Sequence, residues 1–96
     1  MKPSDALEKH RETIRSVAGR YRTVNPRVFG SVLHGTDTEE SDLDILVDAL
    51  PGVTLFDLGG LYEELEQLLG VRISLVTPGD LPARWRDRVL AEARPI

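Results

Sequence analysis

Asp42 and Asp44 stand two residues apart in the run Ser41-Asp42-Leu43-Asp44-Ile45-Leu46-Val47-Asp48. On an extended strand, residues i and i+2 point to the same face, with Cα atoms roughly 6.5–7 Å apart. Two carboxylates at that spacing suit a hard divalent cation, Mg²⁺ above all, which keeps waters and substrate phosphates as its remaining ligands. A pair of Mg²⁺ ions held in this way can polarise a phosphoryl group and activate an attacking oxygen. Taken alone, such a pair is more often the solvent face of an amphipathic strand.

A second group lies just upstream. Gly30-Ser31 follows the apolar pair Val28-Phe29 and precedes a short stretch ending at Gly35. A strand that runs into glycine, serine and a helical turn presents backbone N–H groups and a hydroxyl to an anion. Glycine also lets a phosphate approach the main chain closely. Gly35 fits either a phosphate loop or a helix C-cap. No Gly-Lys-Ser/Thr follows, so this is not a Walker A loop.

These residues need a frame to hold them. Residues 42–48 alternate, with Leu43, Ile45 and Val47 on one face and Asp42, Asp44, Leu46 and Asp48 on the other, which predicts a strand with one buried face. Residues 4–22 read as a helix with Leu7, Ile14, Val17, Ala18 and Tyr21 on one side, Ser4 or Asp5 as N-cap, and Asn25-Pro26 as its stop. Val28-Phe29 is a short strand. Thr54–Leu69 is the clearest helix, with Leu55, Leu58, Tyr62, Leu65 and Leu69 stepping by three and four, Thr54 and Asp57 as a capping box and Gly70 as the stop. Val71–Val76 predicts a third strand, and residues 81–93 a last helix offering Leu81, Trp85, Val89 and Ala93 to the core. The expected architecture is α+β, a small mixed sheet covered by helices, in one domain spanning residues 1–96.

Composition narrows the function. Twelve basic residues stand against sixteen acidic ones, and the arginines are split between the two ends of the chain. That argues against nucleic acid as the primary partner, which needs a concentrated basic surface. The absence of cysteine excludes a disulfide framework and thiolate metal sites. The polar start and the lack of a ~20-residue apolar run give the expectation of a soluble, cytoplasmic protein without a membrane partner.

Read together, Gly30 to Val47 spell G-S-x-x-x-G-x-x-x-x-x-S-D-x-D-x-x-V. This resembles the signature of the DNA polymerase β nucleotidyltransferase superfamily, in particular its minimal members, the MNT or MntA antitoxin type. The resemblance extends to Val71–Thr77 with Pro78, to Leu90-Ala91-Glu92-Ala93 and to Pro95-Ile96, and so spans nearly the whole chain. It implies a polymerase β-like fold and transfer of a nucleoside monophosphate from a nucleoside triphosphate, ATP foremost, to a hydroxyl. Gly30, Ser31, Gly35 and Ser41 would serve the nucleotide, Ser41 by supporting its loop or capping the turn. Asp42 and Asp44 would be the catalytic, Mg²⁺-binding pair. In the antitoxin branch the acceptor is a tyrosine of a HEPN-type toxin, which the added nucleotide silences.

The chain departs from the family pattern at Ser74, where a third carboxylate is usual, and at His34, where an arginine is common. Serine is neutral and no general base near neutral pH, and losing a catalytic proton acceptor costs on the order of 10²–10⁴ in rate. Two readings follow: a working transferase, or a catalytically weak nucleotide-binding antitoxin that acts by complex formation. Addition of nucleotides to RNA or to a small antibiotic fits the acidic balance less well. Asp48 reads as a solvated strand end, Asp37, Glu39 and Glu40 as loop charges, His34 as exposed, and His10 has no partner.

Overall fold

A computed structural model describes residues 1–96. The chain runs α1 (Pro3–Gly19), β1 (Thr23–Phe29), α2 (Gly30–His34), β2 (Leu43–Ala49), α3 (Leu55–Leu69), β3 (Ile73–Val76), a 3-10 turn (Pro78–Asp80), α4 (Ala83–Glu92) and β4 (Arg94–Pro95). The strands form one mixed sheet in the order β3-β2-β1-β4. β1 pairs antiparallel with both β2 and β4, and β2 pairs parallel with β3. The expected α+β architecture with a small mixed sheet is therefore present.

The core sits on one face of this sheet. Leu43, Ile45 and Val47 of β2 are fully buried against Ile14 and Val17 of α1 and Leu61, Leu65 and Leu69 of α3. The alternation of β2 holds except at Leu46, which points to the other face and is also fully buried. The 3-10 turn packs on β2 and Leu81 beside it is buried, so the second face is covered along its middle. The end carrying Asp42 and Asp44 is less covered, with Asp42 exposed and Asp44 part-buried.

Several local expectations are corrected. α1 begins at Pro3 after Lys2, not at a Ser4 or Asp5 cap, and it ends at Gly19 well before Asn25-Pro26. Those two residues lie inside β1, at a register shift where Asn25 takes φ +57°. Asparagine tolerates that conformation, and a bulge spares Pro26 the ladder N–H it lacks. The fourth strand was not expected, because two residues containing a proline carry no periodic signal; its successor Ile96 donates its N–H to the Pro26 carbonyl at 3.0 Å.

Helical spacing predicts Trp85 in the core, and Leu55 and Tyr62 on one stripe of their helix. Instead Trp85 is 52% exposed, Tyr62 41% and Leu55 85%. The buried stripe of α3 is Leu61, Leu65 and Leu69: Leu65 and Leu69 are as predicted, and Leu61 is buried where the spacing pointed to its neighbour Tyr62. The capping box is as expected: Asp57 N–H donates to Thr54 Oγ1 at 3.1 Å and Thr54 N–H to Asp57 Oδ2 at 2.9 Å. Gly70 ends the helix at φ +69°. No helix is long and apolar enough to cross a membrane.

Asp37 is a further correction, because it is buried rather than a free loop charge. Its Oδ2 accepts the Ser4 N–H at 2.9 Å, so it caps α1 from 33 residues away where Lys2 offers no side-chain cap. That backbone hydrogen bond is the main reason its carboxyl lies below its ordinary pKa, with burial opposing. Asp37→Ala is expected to cost about 1–2 kcal/mol of stability, as lost N-caps do. A carboxylate with a lowered folded pKa stabilises above its unfolded pKa and stops doing so as pH falls through the folded value. Urea titrations should therefore show the difference between wild type and variant at pH 7 shrinking below the ordinary carboxylate pKa of 3.8.

Candidate active site

The register of three strands assembles the site. Asp44 faces Phe29 across the antiparallel β1–β2 ladder and Ser74 across the parallel β2–β3 ladder. Gly30 follows Phe29 directly, so strand pairing brings the glycine turn to the second aspartate. The approach is close: a Cβ built on Gly30 would overlap Asp44 Oδ2 and lie 3.0 Å from its Cγ. Gly30 also has φ +71°, the left-handed region that side chains avoid. Both constraints select glycine here.

Asp44 is half-buried. Burial raises its carboxyl pKa above the ordinary value; the Ser74 hydroxyl pulls it down, and repulsion from Asp42 adds to the rise. No cationic side chain acts on it, so a half-buried charge stands without a counter-ion. Asp42 is more exposed and has one: Arg72 Nε lies 3.1 Å from its Oδ1, and the same guanidinium donates to the Glu40 carbonyl. Arg72 was missed in the sequence. The signal existed in the parallel pairing of Leu43 with Ile73, which sets residue 72 beside residue 42; the Leu43 N–H indeed bonds the Arg72 carbonyl at 2.9 Å.

The other candidate residues divide between turn and loop. Ser31 lies in α2, and Gly35 ends that helix at φ +71°, its N–H directed to the carbonyls of Ser31 and Val32. That settles Gly35 as a C-cap in local conformation. Ser41 Oγ accepts the Thr38 N–H at 2.9 Å and so fixes the loop leading into β2. His34 is exposed and pairs with Glu92 of α4 at 3.2 Å. Asp48 is braced by Arg27 at 2.6 Å and Asn25 at 3.1 Å, and is therefore occupied away from the site rather than freely solvated.

No group of three His, Cys, Asp or Glu side chains converges anywhere in the chain. The donor set at the site is two carboxylates, one of them lacking a counter-ion, with a hydroxyl from Ser74 at the position opposite. Such a set fits a divalent cation that draws its other ligands from water and phosphate.

Gly30→Ala tests the geometry. The positive φ costs roughly 1–2 kcal/mol of stability, and the new methyl group forces the Asp44 carboxylate to rotate away. Activity should thus fall more than the stability loss explains, which steady-state rates compared with melting curves on the same preparation would show.

The chain resembles known proteins along most of its length. Residues 7–96 match the nucleotidyltransferase domain family. The protein adenylyltransferase MntA of Thermococcus cleftensis is 37% identical over 86 residues, covering 90% of this chain and 84% of that protein. A candidate protein adenylyltransferase of Methanocaldococcus jannaschii is 39% identical over 66 residues, 69% of this chain and 71% of its own. A solved candidate minimal nucleotidyltransferase superposes with a TM-score of 0.87 at 44% identity, covering 97% of this chain and 95% of that one. With a glycine turn pressed against a strand aspartate and this likeness along almost its full length, the chain belongs to the nucleotidyltransferase domain family.

Proposed function

We propose that this chain moves a nucleoside monophosphate, AMP foremost, from a nucleoside triphosphate to a tyrosine hydroxyl of a HEPN-type toxin, and acts as its antitoxin. The observation that carries the reading is the contact between Gly30 and Asp44, which joins a phosphate-facing turn to a metal-binding carboxylate pair. Relatives named as protein adenylyltransferases support a protein acceptor. The toxin partner and its tyrosine rest on the resemblance to the MNT group. A cytoplasmic setting goes with the same reading, since the triphosphate and Mg²⁺ are available there.

In this reading Gly30 and Ser31 hold the triphosphate and Gly35 and Ser41 keep turn and loop in shape. Asp42 and Asp44 hold Mg²⁺, which neutralises phosphate charge and polarises the α-phosphorus when bound. Arg72 releases Asp42 for that purpose and becomes free to meet phosphate oxygens. The acceptor oxygen forms a bond to the α-phosphorus, the bond to the β-bridging oxygen breaks, and pyrophosphate leaves. The acceptor proton passes to solvent, because Ser74 cannot take it. A tyrosine, with its phenol pKa near ~10, gives up that proton far more readily than an aliphatic alcohol. The chain's own residues therefore favour tyrosine as acceptor.

Ser74 also supports a second reading, in which the chain neutralises its partner by binding alone. One assay separates the two. The protein is incubated with Mg²⁺, each of the four triphosphates in turn and the product of the adjacent gene, and the partner is weighed by mass spectrometry. A mass gain of one nucleoside monophosphate is expected; a stable complex with no gain for any triphosphate would favour the binding reading.

A further inference from the structure

A cleft of about 340 Å³ opens between α2 and α4 on the Gly30 side of the site. Phe29, Gly30, Trp85 and Val89 line it, and the His34–Glu92 pair lies along it. Trp85 leaves half its surface to this cleft and to solvent, at 52% exposure. The Arg84 guanidinium lies 4.5 Å from the indole centroid and so covers one face of the ring. A second planar guest can stack only on the other.

Gly30 belongs to two surfaces at once: it walls the cleft and abuts Asp44. A ligand with its phosphates at Gly30 and Asp44 therefore has this cleft as adjoining apolar space. Small-molecule sites are concave and mostly apolar with a few polar groups, and this cleft has that character. We propose that it takes the purine base of the bound nucleoside triphosphate, stacked on Trp85 and flanked by Phe29 and Val89. This rests on the nucleotide-site reading above and adds the base subsite to it. A bicyclic purine covers the bicyclic indole more fully than a pyrimidine does, so stacking favours ATP and GTP over CTP and UTP.

Trp85 is the only tryptophan in the chain, so emission excited at wavelengths that its two tyrosines do not absorb reports this cleft alone. Titrations with ATP, CTP and tripolyphosphate in Mg²⁺ test the assignment. ATP is expected to change the emission saturably and CTP to bind more weakly. Tripolyphosphate should reverse the ATP signal by competition while leaving the emission of the free protein unchanged. By calorimetry, Trp85→Ala should weaken ATP binding about tenfold or more, as loss of one stacking partner does. The same variant should leave tripolyphosphate binding within about twofold, a difference too small to reflect a lost contact. Trp85→Phe, which keeps a stacking ring, should retain most of the ATP affinity and guards against a folding defect. Calorimetric ATP binding with no change in emission, or with equal affinity in Trp85→Ala, would overturn the base subsite and leave the phosphate site standing. If neither ATP nor tripolyphosphate binds, the nucleotide site itself is wrong and the base subsite falls with it.

Discussion

Asp44→Asn is expected to lower nucleotide transfer by at least about a thousandfold, the order seen when a preorganised electrostatic group is removed from a transition state. The same substitution should not harm the fold. Asp44 is half-buried with no counter-ion, and its raised pKa shows that its charge is held at a cost. A carboxylate whose folded pKa is raised favours the folded state below that pKa and loses the advantage as pH climbs through it. At neutral pH the uncharged amide removes the penalty while keeping the shape of the side chain. Melting temperature without Mg²⁺ should therefore equal or exceed that of wild type while activity collapses. A variant that lost both together would mark Asp44 as a structural residue instead.

The reverse change lies one strand away. Ser74→Asp sets a third carboxylate opposite Asp44 in the β2–β3 register. If the wild-type reaction proceeds without a proton acceptor, the gain should fall within roughly 10²–10⁴ in rate, measured as single-turnover transfer to the partner. The new charge also repels Asp44, so the variant should melt below wild type in EDTA. Adding Mg²⁺ should then raise its melting temperature more than it raises that of wild type, because the cation binds the folded site with one more ligand. Unchanged rate together with unchanged Mg²⁺ dependence would show that residue 74 does not face the reacting centre.

The frame and the site were legible to different degrees, for reasons that individual residues make plain. β2 was readable because Leu43, Ile45 and Val47 recur at every second position, and α3 because Thr54, Asp57 and Gly70 mark its ends with local hydrogen bonds. What a residue does through a distant partner was not readable. Asp37 looks like any loop acid until the fold brings Ser4 to it. Arg72 gains its place only from the parallel pairing of β2 with β3, and β4 exists only because β1 offers an edge. Trp85 shows a different limit: helical spacing predicts a face, but whether that face meets core or cleft depends on how far α4 reaches over the sheet. Gly30 and Asp44 were singled out separately in the sequence; that they touch is what the fold adds.

The Gly30–Asp44 site is proposed to transfer a nucleotidyl group. ATP labelled at the α-phosphorus and ATP labelled at the γ-phosphorus, each given with Mg²⁺ and the partner, test it most directly. The expected result is α-label on the partner, γ-label released as pyrophosphate, and loss of both in Asp42→Ala and Asp44→Ala. Label from the γ-position on the partner, or α-label that persists in both variants, would contradict it.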